Sequence, residues 1–122
     1  MSDSFQFKSN TVSMTLCNRQ YTLTVDEDTV RICDRIRTEA KEYLLRLNSE
    51  NQDTDATISE ICKFFEACID RLIGSGETAE IFGARPIKLL DLTDLLSFIL
   101  SKIGKSVVGR VSRQPIGIEE AV

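Results

Sequence analysis

The chain has 122 residues, with 15 lysines and arginines against 19 aspartates and glutamates, four cysteines, and neither histidine nor tryptophan. A chain of this length forms one domain that buries about two-thirds of its unfolded surface, so a hydrophobic core needs no disulfide or metal to support it. The missing histidine excludes Ser-His-Asp and Cys-His catalysis and HExxH metal sites, and a net charge of −4 argues against nucleic acid as the main partner.

Residues 4–25 predict β structure. Phe5-Gln6-Phe7 alternates, and Val12, Met14 and Leu16 alternate with Ser13 and Thr15. A polar turn at Asn18-Arg19 leads to Tyr21, Leu23 and Val25 at period two. A two-stranded hairpin is marginal alone, so helices must cover its apolar face.

The first helix is expected from Thr24 or Asp26 to about Asn48. Thr24-Val25-Asp26-Glu27 fits a capping box, and Asp26, Glu27 and Asp28 suit the positive end of the helix dipole. Val30, Cys33, Ile36 or Arg37, Ala40, Tyr43, Leu44 and Leu47 follow helical spacing. Residues 49–56 read as a polar linker. Thr57-Ile58-Ser59-Glu60 predicts a second cap and helix, with Ile58, Ile61, Cys62, Phe65, Cys68, Ile69 and Leu72 as its stripe and Gly74 as its stop. A short helical turn over residues 75–82 ends at Gly83.

Pro86 is placed for the first turn of a third main helix, running from about Ile87 to Ile103 and stopping at Gly104. Its leucines, isoleucines and Phe98 cover much more than one stripe. Asp91, Asp94 and Lys102 and its short length argue against a membrane span. Two readings stay open: a helix buried by several neighbours, or one with a face in the core and another for a partner. Residues 105–122 lose the periodicity. Val107-Val108 and Val111 fit a strand, but Gly109 and Pro115 favour a loose tail, flexible or ordered by a partner. The expected organisation is an α+β, mainly helical domain over residues 1–104, a hairpin packed on three main helices plus one short helix, with the tail at 105–122.

Two loops match ligand motifs in part. Gly74-Ser75-Gly76-Glu77-Thr78-Ala79 fits a loose GxGxx[GA] pattern, but a helix precedes it, where a dinucleotide site requires a strand, and Glu77 brings negative charge. A helix end and hinge is the simpler reading. Asn51, Asp53 and Asp55 offer calcium-loop oxygens, but Ala56 stands where the turn glycine belongs and Cys62 where a bidentate Glu belongs. Polar linker plus cap accounts for the same residues. Asp91 and Asp94 read as charges at a helix start, not as catalysts. Cys62 and Cys68 are about 9 Å apart by helical rise, too far for a disulfide. The polar Met1-Ser2-Asp3-Ser4 opening has no apolar signal stretch. The expectation is a reduced, cytosolic setting with cysteines as small buried hydrophobes, and no cofactor, metal or membrane partner.

The order of elements, with Glu80-Ile81-Phe82-Gly83 ahead of Leu89-Leu90-Asp91-Leu92-Thr93-Asp94-Leu95-Leu96-Ser97-Phe98-Ile99, resembles the small tail proteins of siphophages and prophages of Gram-positive bacteria. Some of these are tail assembly chaperones. The likeness spans residues 14–103 and includes Tyr21-Thr22-Leu23-Thr24-Val25-Asp26 before a long helix. It implies a non-enzymatic, self-associating protein of the host cytoplasm that coats a long tape-measure protein before the tail tube assembles. An amphipathic helix held in a groove would provide that shielding, and an acidic surface would keep the complex dissolved. Phe64, Phe82, Leu92, Leu96, Phe98 and Ile99 are the candidate partner contacts. Phe64 and Phe98 are chosen because they fall off the main stripes of their helices. The alternatives are a structural tail component and, less in keeping with the residues, a small ligand-binding domain.

Overall fold

The computed structural model describes Phe5, residues 10–48 and residues 54–112. Its order is β1 (Thr11–Leu16), β2 (Arg19–Thr24), α1 (Glu27–Leu45), a 3-10 turn (Arg46–Asn48), α2 (Thr54–Ile73), α3 (Glu77–Phe82) and α4 (Leu89–Ser112). The expected α+β, mainly helical architecture is what forms.

The hairpin turns one residue earlier than expected. Leu16 pairs with Arg19, and the two loop residues, Cys17 and Asn18, have φ of 49° and 69°. Two consecutive left-handed residues make a type I′ turn, whose twist matches the strands on either side. The register sets Met14 opposite Tyr21 and Val12 opposite Leu23. Met14, Leu16, Tyr21 and Leu23 are buried on the inner face. The outer face is polar, with hydroxyl and amide bonds across the strands from Ser13 to Thr22 and from Gln20 to Thr15. Of the alternating Phe5-Gln6-Phe7 segment, only Phe5 is described, and it lies outside the strands. Phe5 itself is exposed, and residues 6–9 are outside the described set.

Asp26 caps α1, its carboxylate accepting from the Thr29 N–H at 2.9 Å and the Thr29 hydroxyl at 3.0 Å. These bonds, the backbone one foremost, hold its carboxyl below the usual carboxylate range. At the far end, Tyr43 stacks on Phe64 with ring centroids 4.3 Å apart, and Arg46 reaches across to Glu60 through two bonds of 2.9 and 3.0 Å. Glu60 is therefore engaged with Arg46. The helix start expected at Thr57 is displaced to Thr54, and Thr57 is buried inside α2. Residues 54–62 are helical, so they do not form the second half of a calcium loop; residues 51–53 lie outside the described set.

α2 is central. Ile61, Phe65 and Ile69 are almost fully buried, and α1, α3, α4 and the hairpin all pack against it. Each such side chain contributes about 1.5–3 kcal/mol through burial. α4 begins at Leu89, with the Lys88 carbonyl accepting its first helical bond from Leu92 N–H, so Pro86 precedes the helix. It also continues through Gly104 to Ser112. Residues 105–112, expected to be loose, are helical. One glycine costs about 1 kcal/mol in a helix interior, too little to stop a helix whose preceding turns are anchored by Ile99, Leu100 and Ile103. Residues 113–122 of the expected tail lie outside the described set. Among the described residues, no helix is long and apolar enough to cross a membrane.

Candidate interaction surface

α1 and α4 run antiparallel on α2 and are joined at mid-length by one hydrogen bond, from Arg37 Nη2 to the Leu100 carbonyl at 3.3 Å. On either side of that strut the seam opens. The larger hollow, about 710 Å³, lies between Asn10, Val25 and Val30 on one side and Ser106 and Val107 on the other. The second, about 420 Å³, is walled by Ala40, Leu44 and Leu45 from α1 and by Leu96 and Leu100 from α4, with Phe65 at its floor. Together they form a mostly apolar groove along one face of the molecule. Val30 is 42%, Leu44 36% and Leu45 61% exposed, although two of them carry the helical period of a core stripe. Lys41 and Arg37 line the second hollow, and neither has a carboxylate partner among the described residues. Arg31, beside the first hollow, is already paired with Glu27 and Asp28.

The six candidate contacts do not come together. Leu92 and Ile99 are fully buried, Leu96 is 4% exposed and Phe82 8%, so these four are core residues. Leu96 alone of these helps wall the groove. Phe64 is half-buried against Tyr43 and Phe65. Phe98 is 44% exposed, with the Lys102 ammonium 5.7 Å from its ring, and it lines neither hollow. The off-stripe argument therefore finds an exposed residue only at Phe98. Core membership of Leu92, Leu96 and Ile99 follows from α4 being covered by α2 and the hairpin together. Of the groove residues, Val30, Leu44 and, as the alternative to Ile36, Arg37 were legible only as positions on the stripe of the first helix, and Leu45 and Lys41 were not legible as groove residues.

The glycine loop after α2 is filled by the chain's own anion. The Asp70 carboxylate accepts from Gly76 N–H at 3.0 Å, Thr78 N–H at 2.9 Å and the Thr78 hydroxyl at 2.6 Å. Burial pushes this carboxyl up, but the bonds from Thr78 and Gly76 outweigh that and leave it below the usual range. The N–H groups that would cradle a phosphate are thus spent on Asp70, and the segment is a helix end and hinge. A smaller hollow of about 290 Å³ lies between the hairpin tip and α4, bounded by Cys17, Phe82, Arg85 and Asp91. Arg85 and Asp91 are paired across it at 3.1 Å.

The cysteines divide. Cys33 and Cys68 are buried, and burial pushes the Cys68 thiol up to about 11. Cys62 is half-buried and Cys17 is exposed at the hairpin turn, contrary to the expectation that all four would be buried. Compared with protein families, curated proteins and solved structures, the chain finds no match.

Proposed function

We propose that this chain is a non-enzymatic assembly protein whose α1/α4 groove receives an amphipathic helix from a protein partner. The observation that carries the reading is the seam itself. Two antiparallel helices leave an apolar trough floored by Phe65, and the Leu44 and Leu45 side of it is open to water. Contiguous exposed apolar surface is costly to maintain, and a helix laid into such a trough at i, i+3, i+4 spacing would cover it. The likeness to phage tail proteins supplies the partner: a long, helix-rich tape-measure protein, held in the host cytoplasm until the tube closes around it, with several copies of this chain along its length.

The test is co-expression with the tape-measure protein encoded in the same gene cluster. A co-purifying complex is expected, weakened at least tenfold by Leu44→Asp/Leu45→Asp and unaffected by Phe98→Ser. That tenfold corresponds to about 1.4 kcal/mol. Absence of a complex, or equal loss with both variants, would refute the groove as the binding face. A chaperone is also expected to be missing from purified mature particles, as read by mass spectrometry. Its presence there in stoichiometric amount would favour a structural subunit.

A further inference from the structure

Arg37 and Lys41 stand four residues apart on α1, so they share a face and lie about 6 Å apart along its axis. Leu44 and Leu45 continue the same row one turn further on. The α1 wall of the smaller hollow is therefore two cations followed by two leucines. The opposite wall, Thr93, Leu96, Ser97 and Leu100 of α4, carries no charge, and no carboxylate lines this hollow among the described residues.

Neither cation is spent. Lys41 has no ion-pair partner among the described residues, and Arg37 gives one N–H to the Leu100 carbonyl at 3.3 Å, which leaves other guanidinium donors. Both residues are exposed. The larger hollow differs. Asp26 and Glu27 line it, and its cation, Arg31, is already paired with Glu27 and Asp28. Unpaired positive charge thus belongs to the smaller hollow, beside its open leucines.

We infer that the groove selects an acidic amphipathic helix, one whose apolar stripe carries a carboxylate that meets Arg37 and Lys41 while two apolar side chains cover Leu44 and Leu45. The spacing follows from α1. A carboxylate level with the midpoint between the two cations stands about 8 Å along the axis from the leucine pair. On a partner helix laid along α1, that is Asp or Glu at i with apolar side chains at i+4 and i+7, or the same order reversed when the helix runs the other way. Apolar burial holds the segment, and the carboxylate fixes its register and rejects basic helices. This inference rests on the helix-in-groove reading proposed above and adds what that helix must carry.

The experiment titrates the full chain into fluorescently labelled, alanine-rich helical peptides at low salt, followed by anisotropy. One peptide carries Glu at i with Leu at i+4 and i+7, a second carries the reversed order, and each has a control with Lys in place of Glu. The tighter Glu peptide is expected to bind about tenfold better than its Lys control, a preference that shrinks in about 0.5 M salt. Arg37→Glu/Lys41→Glu is expected to invert the preference. Lys41→Glu alone leaves the Arg37 strut in place and is expected to reduce it by about threefold, with an unchanged far-UV circular dichroism spectrum reporting an intact fold. Equal binding of Glu and Lys peptides would overturn the acidic preference and leave the shielding function standing. A Glu preference that survives both variants would overturn it as well. So would binding of no peptide, and the co-expression complex then decides the shielding function separately. Amide shifts at Arg37, Lys41 and Leu44 on diluting the peptide-free chain would assign the groove to a second copy and overturn the acidic helix. The expected peptide preference without any tape-measure complex would refute the named partner and leave the acidic-helix groove standing.

Discussion

Removing the Asp70 carboxylate is expected to be the most damaging polar substitution in this protein. Three donors converge on it, from Gly76 N–H, Thr78 N–H and the Thr78 hydroxyl, and they tie the end of α2 to the start of α3. Thr78 is 1% exposed, so water cannot easily replace its lost partner. Gly76 is exposed, and its N–H is re-solvated at small cost. Orphaning a buried donor costs about 1–3 kcal/mol, and bonds to a charged acceptor sit at the upper end of the range. The Thr78 hydroxyl keeps a weak alternative in the Glu66 carbonyl at 3.4 Å, which trims the total. Asp70→Ala should therefore cost about 2–4 kcal/mol, lowering Tm by about 8–15 °C for a chain of this length. Asp70→Asn keeps an acceptor but loses the charge, and should cost about 1–2 kcal/mol.

The assay is thermal and urea unfolding by far-UV circular dichroism, with Thr78→Val completing a double-mutant cycle. A coupling of about 1 kcal/mol or more between positions 70 and 78 is expected. The pH dependence has a definite sign. The folded Asp70 carboxyl titrates below its unfolded value near 3.9, so its stabilisation is complete above that pH and is lost as pH falls through the folded value. Asp70→Asn should lack this component of acid destabilisation. An Asp70→Ala loss within about 0.5 kcal/mol of zero, or strict additivity with Thr78→Val, would refute the staple.

Other substitutions test separate parts of the structure. A Cβ at Gly104 would sit 3.7 Å from Arg37 Nη2, ordinary contact distance, so Gly104→Ala should stabilise α4 by about 0.5–1 kcal/mol, read from the urea midpoint. Gly76 has φ of 80° with nothing within 4 Å of a built Cβ, so Gly76→Ala should cost about 1 kcal/mol from backbone strain alone, and Gly76→Asn should recover part of it. Ile99→Ala should cost about 3–4 kcal/mol, while neighbouring Phe98→Ala should stay within about 1 kcal/mol. Similar values for the two would contradict the assigned face of α4. In a thiol-labelling time course on the native chain, Cys17 should react first, with Cys33 and Cys68 released only by denaturant. Labelling of Cys68 at the rate of Cys17 would count against its burial.

The hairpin and helices were legible because their residues are read locally. Met14, Leu16, Tyr21 and Leu23 carry the period of a half-buried strand, and Asp26 before a charged first turn announces α1. The misplacements came where a tertiary contact outbid a local signal. Thr57 and Glu60 have the spacing of a capping box, but Arg46, brought close by the 3-10 turn, takes Glu60, and Thr57 enters the interior. Gly104 has the identity of a helix stop, but buried residues on the preceding turns and room beside Arg37 carry the helix through it. The Asp70 staple was illegible for a related reason. An aspartate eight residues before a threonine has no pattern of its own until a glycine loop brings them together.

The groove was harder to read because it exists where two helices fail to meet. Periodicity reports that Val30 and Leu44 share a face of α1, and that face does point toward α4. It cannot report the separation. That depends on α2, which seats both helices on Phe65 and Ile69, and on Arg37, whose guanidinium reaches across to a main-chain carbonyl in place of an apolar contact. An arginine strut also differs from a leucine contact in what it permits. The bond from Arg37 to the Leu100 carbonyl has a net value of about 1.5–3 kcal/mol, and a carboxylate arriving in the groove can offer Arg37 a stronger partner than that carbonyl. On the proposed reading, a partner helix that brings a carboxylate beside apolar side chains would widen the seam and be held at that one side chain. Arg37→Leu should consequently close the seam: it should make the fold equal or greater in stability by urea unfolding, yet reduce capture of such a segment by at least tenfold in a titration. A variant that loses stability and keeps its binding would show that Arg37 is only a brace.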